Sequence, residues 1–253
     1  MKKVFITGTD TDVGKTIVSA GLCMAWPAHY WKPIQAGYQV PKGGNAKRLS
    51  SANVPSSSSL TPPLPINAMP FSSTNVPNPS SELALNKILP GTDNEVINRF
   101  IPEQHIHPSV YTLKNPLSPN QAAKIEGVKI QKEKINYPRC SSNLVIEGAG
   151  GALVPFNKKE DMTDLMKKMD CPVIIVARSS LGTLNHTFLT LSVLRAKKIP
   201  IMGVIMVGPL HEKNKNDIET KGKVSVLLEL PLLDTLSPET LRPYFEKMSF
   251  SID

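Results

Sequence analysis

The sequence contains few cysteines, and neither they nor its histidines show the spacing of a metal or redox site. The three cysteines are isolated from one another in the chain; they are Cys23, Cys140 and Cys171. We expect them to be small core residues in a reducing compartment. His105 and His107 have the spacing of two ligands on one strand face, but no third partner is evident, so we interpret them as part of a solvated loop.

Long apolar runs are also lacking, and none approaches the length that spans a membrane. The first residues lead directly into a strand pattern, which leaves no room for a secretory signal. We therefore expect a cytoplasmic protein without a membrane partner.

The chain has an excess of positive charge, with 29 Lys and Arg residues against 21 Asp and Glu and a formal net charge of +8. Such a charge suits a polyanionic small molecule and equally suits nucleic acid. However, the lysines of 124–134 and 158–168 are mixed with acidic residues, as on solvated helix faces. No basic stretch is interleaved with the aromatic residues that stack bases. We expect no nucleic-acid partner.

Strand-like runs that end in Gly or polar turns alternate with longer mixed segments. This order predicts an α/β fold with a mostly parallel β-sheet flanked by helices on both faces, and 253 residues suffice for one such domain. The predicted extended pieces are 4–7, 29–34, 143–146, 172–177 and 201–207. The predicted helices are 16–25, 161–169, 183–194 and a short one after Ser237.

One segment, at about 40–91, interrupts this domain and is rich in Ser, Pro and Asn. Its composition buries too little apolar surface to offset the entropy lost on ordering, which predicts a disordered insertion within a single domain, 1–253. Proline-rich stretches also serve as ligands for proline-recognising modules, but a plain linker is the more common explanation.

The segment 3–16 predicts a phosphate-binding loop. It consists of a β-branched and aromatic run, a polar loop between Gly8 and Gly14, and Gly-Lys-Thr at the start of a helix. In this arrangement, backbone N–H groups and the positive helix end favour the oxygens of a nucleotide triphosphate. Lys15 is expected to reach the outer phosphates and Thr16 the Mg²⁺. The loop is one residue longer than the usual pattern, so the side chains of 10–12 can also face a second substrate.

Glu147 is a second candidate, because it follows the apolar strand 144–146 and precedes a Gly-rich turn. That position is the carboxyl edge of the sheet, where α/β folds place ligand groups. A carboxylate there can hold Mg²⁺ on the phosphates, although in isolation it is equally typical of an acid that caps a turn.

Four motifs together closely resemble the dethiobiotin synthetase family: residues 8–16 (GTDTDVGKT), 32–37 (KPIQAG), 147–151 (EGAGG) and 181–187 (LGTLNHT). The resemblance covers nearly the whole chain outside the insertion. It implies a P-loop NTPase-like fold and a homodimeric ligase of biotin synthesis that requires Mg²⁺ and ATP. It also implies the substrates 7,8-diaminononanoate and CO₂, which form a carbamate that ATP phosphorylates before the second amine closes a ureido ring.

The resemblance assigns roles to individual residues. The implied catalytic residues are Lys15, Lys32, Thr11 and Asp12. The implied nucleotide-binding residues are Asp12, Val13, Gly14, Lys15, Thr16, Ile17, Glu147, Gly148, Ala149 and Gly150. The implied Mg²⁺ ligands are Thr16, Asp93 and Glu147. The implied substrate-binding residues are Thr11, Lys32, Ala36 and, at a helix start across a dimer interface, Gly182, Thr183, Leu184 and Asn185.

The chain departs from the family pattern at two of the residues named above, Ala36 and Asp12, and also at Val207. Ala36 stands where the family usually has Ser or Thr, Asp12 replaces Glu, and Val207 stands where an Asn often reads the adenine. Two other interpretations therefore stay open. One is an amide-forming synthase of the same superfamily, and the other is a catalytically impaired P-loop relative that acts as a switch or interaction protein.

Overall fold

A computed structural model describes residues 2–38 and 91–248 of the chain. The strands are β1 (Lys3–Gly8), β2 (Ala28–Trp31), β3 (Ile34–Ala36), β4 (Ile106–His107), β5 (Tyr111–Leu113), β6 (Asn143–Gly151), β7 (Val173–Arg178), β8 (Ile201–Val207) and β9 (Val226–Leu230). The α-helices are α1 (Lys15–Ala25), α2 (Asp93–Ile97), α3 (Pro119–Ile125), α4 (Met162–Met169), α5 (Thr183–Ala196), α6 (Glu212–Thr220) and α7 (Pro238–Glu246), and two short 3₁₀ helices span Glu103–His105 and Lys132–Lys134. The insertion predicted at about 40–91 lies, apart from Gly91, outside the described residues.

Seven strands form one parallel sheet in the order β4-β2-β6-β1-β7-β8-β9. The first strand, β1, lies at its centre, where Phe5 pairs with Ile146 of β6 on one side and with Val173 of β7 on the other. The strands β3 and β5 form a separate two-stranded parallel sheet. The predicted mostly parallel α/β fold is confirmed.

Helices cover the large sheet on both faces, and each face has its own apolar core. Phe5 of β1 belongs to the core that includes residues of α3, α4, α5 and α6, whereas Val4 and Ile6 belong to the core with α1, α2 and α7. Successive side chains of a strand point to opposite faces, and all three are fully buried. This pattern is expected of a central parallel strand covered on both sides, and it leaves the carboxyl edge of the sheet for ligand binding.

The extended piece predicted at 29–34 is in fact two strands that belong to different sheets. Pro33 lacks an N–H group and cannot continue the ladder of β2. Its carbonyl instead accepts hydrogen bonds from the N–H groups of Val110 and Tyr111, which lead into β5. Lys32 is thereby left between the two sheets, where its side chain faces the phosphate loop described below.

Two helices begin with capping residues. Ser237 caps α7 with Pro238 at the first helical position, and Asp161 begins α4 with a capping box. Over residues 2–38 and 91–248, no helix combines the length and apolar character needed to cross a lipid bilayer. The cytoplasmic location stays a prediction.

Candidate nucleotide-binding active site

The predicted phosphate-binding loop joins β1 to α1 at the carboxyl edge of the sheet. Gly14 is the N-cap residue of α1 and has a φ of 94°, a left-handed conformation that glycine adopts without steric cost. No side chain caps this helix end, and its first turn holds no acidic residue. Its N–H groups are therefore suited to an anion such as a phosphate group.

Asp10 makes two interactions that stabilise the conformation of this loop. Its backbone carbonyl accepts a hydrogen bond of 2.9 Å from Lys15 Nζ, so the lysine side chain folds back across the loop. Its carboxylate pairs with Arg178 at the end of β7, with Oδ2 2.5 Å from Nη2. A Cβ atom on Gly8 would lie 2.6 Å from the Asp10 carbonyl oxygen, so the tight turn requires glycine there.

The three predicted metal ligands converge at the start of α1. Thr16 Oγ1 lies 2.8 Å from Asp93 Oδ1 and 3.1 Å from Glu147 Oε1. Lys32 Nζ bridges the same two carboxylates, at 2.5 Å from Asp93 Oδ2 and 3.0 Å from Glu147 Oε1. Hydroxyl and carboxylate oxygens are the donors that Mg²⁺ prefers, so this set fits the ion.

Glu147 is only 1% exposed, yet its carboxylate has four hydrogen-bonding neighbours. Besides Thr16 and Lys32 at Oε1, the hydroxyl groups of Ser19 and Tyr30 each donate to Oε2 at 3.0 Å. A buried charge is tolerated when it is paired and hydrogen-bonded in this way. The side chain is consequently held in one orientation.

Burial and charge oppose each other in this cluster. Burial lowers the pKa of Lys32, but the charges of Glu147 and Asp93 outweigh it and hold that pKa above its usual value. Burial raises the pKa of Asp93, but Lys32 more than offsets this, so the pKa of Asp93 is lowered. For Lys15, burial outweighs the attraction of Glu147, and its pKa is lowered. Lys32 and Asp93 are therefore both charged at neutral pH.

Two neighbouring cavities open around the loop. The larger, of about 810 Å³, brings together twelve of the predicted residues: Thr11, Asp12, Gly14, Lys15, Thr16, Ile17, Lys32, Ala36, Asp93, Glu147, Ala149 and Gly150. The smaller, of about 500 Å³, is mostly apolar, and its lining includes Val13, Val207 and Leu230. The buried Ser179 hydroxyl on its wall has no hydrogen-bond partner among the described residues. An apolar slot beside a phosphate loop fits a nucleobase.

Comparison with known proteins agrees with this geometry. A family model described as an AAA domain matches residues 2–240. The ATP-dependent dethiobiotin synthetase of Paramagnetospirillum magneticum is 38% identical over 241 residues, which cover 95% of this chain and 93% of that protein. The enzyme of the same name from Brucella ovis is 36% identical over 253 residues, which cover 99% and 95%.

The chain belongs to the dethiobiotin synthetase family. A bifunctional biotin biosynthesis protein of Bordetella avium is also similar, at 36% identity over 94% of this chain but only 41% of its own length. The solved structure of a ParA family ATPase from Chlorobium tepidum aligns with 97% of this chain and 91% of its own, at 14% identity and a TM-score of 0.46. That last likeness is too weak to carry an argument. The resemblance seen in the sequence motifs is confirmed.

Five residues implied by the dethiobiotin synthetase motifs line neither cavity: Gly148, Gly182, Thr183, Leu184 and Asn185. Gly148 packs behind the site, because a Cβ there would lie 2.8 Å from a ring carbon of Phe5. The other four begin α5, where the N-cap Gly182 has a φ of 93° and no side chain caps the helix. This helix end resembles the start of α1 in being open to an anion, but it does not join the cleft within one copy of the chain.

Several residues of the dethiobiotin synthetase site were not predicted. Ser19 lies three residues after Thr16, so the helical period could have placed it on the same face. Tyr30 reaches Glu147 only because β2 pairs with β6, and no local signal reveals that contact. Gln35 is buried, and its Oε1 accepts a hydrogen bond from the Asp93 N–H group at 3.3 Å.

Proposed function

We propose that this chain is an ATP-dependent dethiobiotin synthetase, which converts 7,8-diaminononanoate, CO₂ and ATP into dethiobiotin, ADP and phosphate. The observation that carries the proposal is the single cleft in which the phosphate loop, Lys15, Lys32 and the two acids meet. Phosphoryl transfer needs cations and oriented dipoles around the transferring group, and this cleft offers two lysines and an uncapped helix end. The names of the full-length relatives support the same reaction.

ATP would bind with its phosphates in the loop and its base in the smaller cavity. The N–H groups at the start of α1 and the Lys15 ammonium suit the β- and γ-phosphates. The apolar side chains of Val13 and Val207 suit the faces of a purine ring. Because Val207 has no amide group, we expect weak discrimination between bases.

Mg²⁺ would be held by Thr16, Asp93 and Glu147. When bound there, the ion would supply positive charge to offset the negative charge that develops during phosphoryl transfer. The hydrogen bonds from Ser19 and Tyr30 to the far oxygen of Glu147 orient its carboxylate toward Thr16. Such outer partners typically contribute about 10–100-fold to metal affinity or activity.

The diamine would lie in the larger cavity beside Thr11, Asp12 and Ala36, where the Asp12 carboxylate attracts an ammonium group. We further propose that the enzyme is a homodimer, in which the start of α5 receives the substrate carboxylate in the cleft of a second copy. The uncapped Gly182 N-terminus and the fully exposed Leu181 beside it support this assignment.

The reaction would proceed in three bond-forming steps. One amine nitrogen adds to the carbon of CO₂ and loses a proton, which gives a carbamate. A carbamate oxygen then takes the γ-phosphoryl group and ADP leaves, so that a poor electrophile acquires a leaving group. The second amine attacks the carbonyl carbon and loses a proton, the C–O bond breaks, and phosphate is released as the ring closes. Lys15 and Lys32 supply the positive charge that both phosphorus-containing groups require.

The test is ATP turnover by the purified chain with Mg²⁺ and bicarbonate, with and without 7,8-diaminononanoate, with the product followed by mass. We expect ADP release that depends on the diamine and a product with the mass of the cyclic urea. Lys15→Met should lower kcat by about 10²–10³-fold, the usual effect of losing one charge-stabilising group, whereas the distant Lys132→Met should leave it unchanged. Nucleotide binding without diamine-dependent turnover would refute the proposal and favour an impaired relative.

A further inference from the structure

Away from the nucleotide site, histidine and cysteine side chains gather at the β4 edge of the sheet. His29 Nδ1 and His107 Nε2 lie 2.9 Å apart, and the two rings are stacked. With Cys140 Sγ they form a group whose ligand atoms all lie within 4.8 Å of one another. The His105 ring is centred 4.9 Å from that of His29. None of these residues lines either cavity of the nucleotide site.

The strand order brings this group together. β2 lies between β4 and β6, with Trp31 paired to His107 on one side and His29 paired to Leu144 on the other. Residues two apart on a strand face the same side, so His29 and His107 share one face. Cys140 comes just before β6 and therefore reaches the same place. The interpretation of His105 and His107 as part of a solvated loop is wrong, because His105 ends a 3₁₀ helix, His107 lies in β4, and both are half-buried beside the His29 ring.

We propose that His29, His107 and Cys140 bind one transition-metal ion of the zinc class, with the neighbouring His105, whose ring is centred 4.9 Å from that of His29, as the fourth donor. Two imidazole nitrogens and a thiolate form a donor set that Zn²⁺ favours and that Mg²⁺ and Ca²⁺ do not. Bonds of about 2.0–2.3 Å in a tetrahedral site put neighbouring ligand atoms roughly 3.3–3.8 Å apart. The atoms of this group need only small side-chain rotations to reach that spacing.

The hydrogen bond between the two histidines supports this assignment. A neutral imidazole pair at 2.9 Å must share one proton between two facing nitrogens, and a metal ion takes the place of that proton.

Such an ion would be structural. It would tie β4, an edge strand of only two residues, to β2 and to the segment that precedes β6. β2 leads to Lys32, and β4 follows the helix that begins at Asp93. Binding is therefore expected to raise thermal stability without taking part in phosphoryl transfer.

The test is metal binding by the whole purified chain, after removal of metal by a chelator. We expect one equivalent of Zn²⁺ to bind, and Co²⁺ in its place to produce the thiolate-to-metal absorption that only a cysteine ligand gives. Cys140→Ser should abolish that absorption. Both Cys140→Ser and His107→Asn should weaken Zn²⁺ binding by more than about tenfold, which is the minimum expected even for an outer-shell partner.

Two controls separate this site from others. His186→Asn alters an exposed histidine on α5, and Asp93→Asn alters the nucleotide cleft, so both should bind Zn²⁺ as the parent chain does. If Cys140→Ser does not fold, His29→Asn and the rise in melting temperature of the parent chain with Zn²⁺ provide the same test. Absence of binding, or binding that persists unchanged in Cys140→Ser and His107→Asn, would overturn the proposal.

Discussion

Replacing Lys32 by Met should destabilise the fold far more than an ordinary salt-bridge deletion does. Lys32 is the only cation that contacts the carboxylate of Glu147 among the described residues, and the two side chains are 9% and 1% exposed. The change would leave a buried carboxylate without its counter-charge. Asp93 is less affected, because its side chain is 25% exposed and can be hydrated.

The magnitude follows from this geometry. Removing one partner of a buried ion pair costs about 3–5 kcal/mol. Thr16, Ser19 and Tyr30 still contact Glu147 in the variant, so we expect the lower end, about 3 kcal/mol. For a chain of this size that corresponds to a fall in melting temperature of about 6–12 °C. Glu147→Gln in the same chain removes the uncompensated charge and should recover at least half of the loss.

The assay is urea unfolding of the parent chain, both single variants and the double variant, without nucleotide or Mg²⁺. Lys132→Met is the matched control, because Lys132 also pairs with a glutamate at 2.5 Å but both side chains are more than 20% exposed. Lys132→Met should lower the free energy of unfolding by less than about 1 kcal/mol. A loss in Lys32→Met no larger than in this control, or no recovery in the double variant, would refute the reasoning.

Three further variants test other contacts. Val207→Asn adds an amide to the base cavity and should raise the preference for ATP over GTP by roughly two- to tenfold, the worth of one hydrogen bond; equal Kd ratios in variant and parent would contradict that base assignment. Gly21→Ala should lower the free energy of unfolding in urea by about 1–3 kcal/mol, because a Cβ there would lie 2.2 Å from Phe245. Phe245→Leu in the same chain should restore part of that loss. An unchanged free energy of unfolding in Gly21→Ala would contradict this argument and show that α7 shifts at little cost. Thr16→Val should weaken ATP binding by roughly tenfold with Mg²⁺ and little without it, as titration calorimetry can measure; an equal loss under both conditions would exclude Thr16 as a metal ligand.

The central strands could be predicted from the sequence because their apolar runs are long and buried on both faces. β7 and β8 coincide closely with predicted pieces, whereas β6 continues beyond the predicted 143–146 through Glu147 to Gly151, a segment interpreted from the sequence as a turn. The edges were harder to predict. β9 was not predicted, since most of its residues are only half buried. The break between β2 and β3 was also not predicted, because Pro33 marks a change of strand only if a second sheet lies beside it.

Some residues of the candidate site could be predicted from a local sequence pattern, whereas other contacts depend on the strand order. Lys15 and Thr16 follow from a local loop pattern, because the helix start itself builds the anion site. The meeting of Asp93 with Glu147 requires strand order, and only the family resemblance suggested it. His29 and Cys140 lie close together solely because β2 is paired with β6. No local sequence pattern predicts that pairing.

The central position of β1 determines when the sheet can form during synthesis. Among the strands that the structure describes, β1 is synthesised first, yet both of its hydrogen-bonding neighbours, β6 and β7, lie in the second half of the sequence. Strands close in sequence pair more often than distant ones, so this pairing must wait. The phosphate loop that follows β1 therefore gains its support late in synthesis, because that support is complete only after β7, which ends at Arg178, has been made.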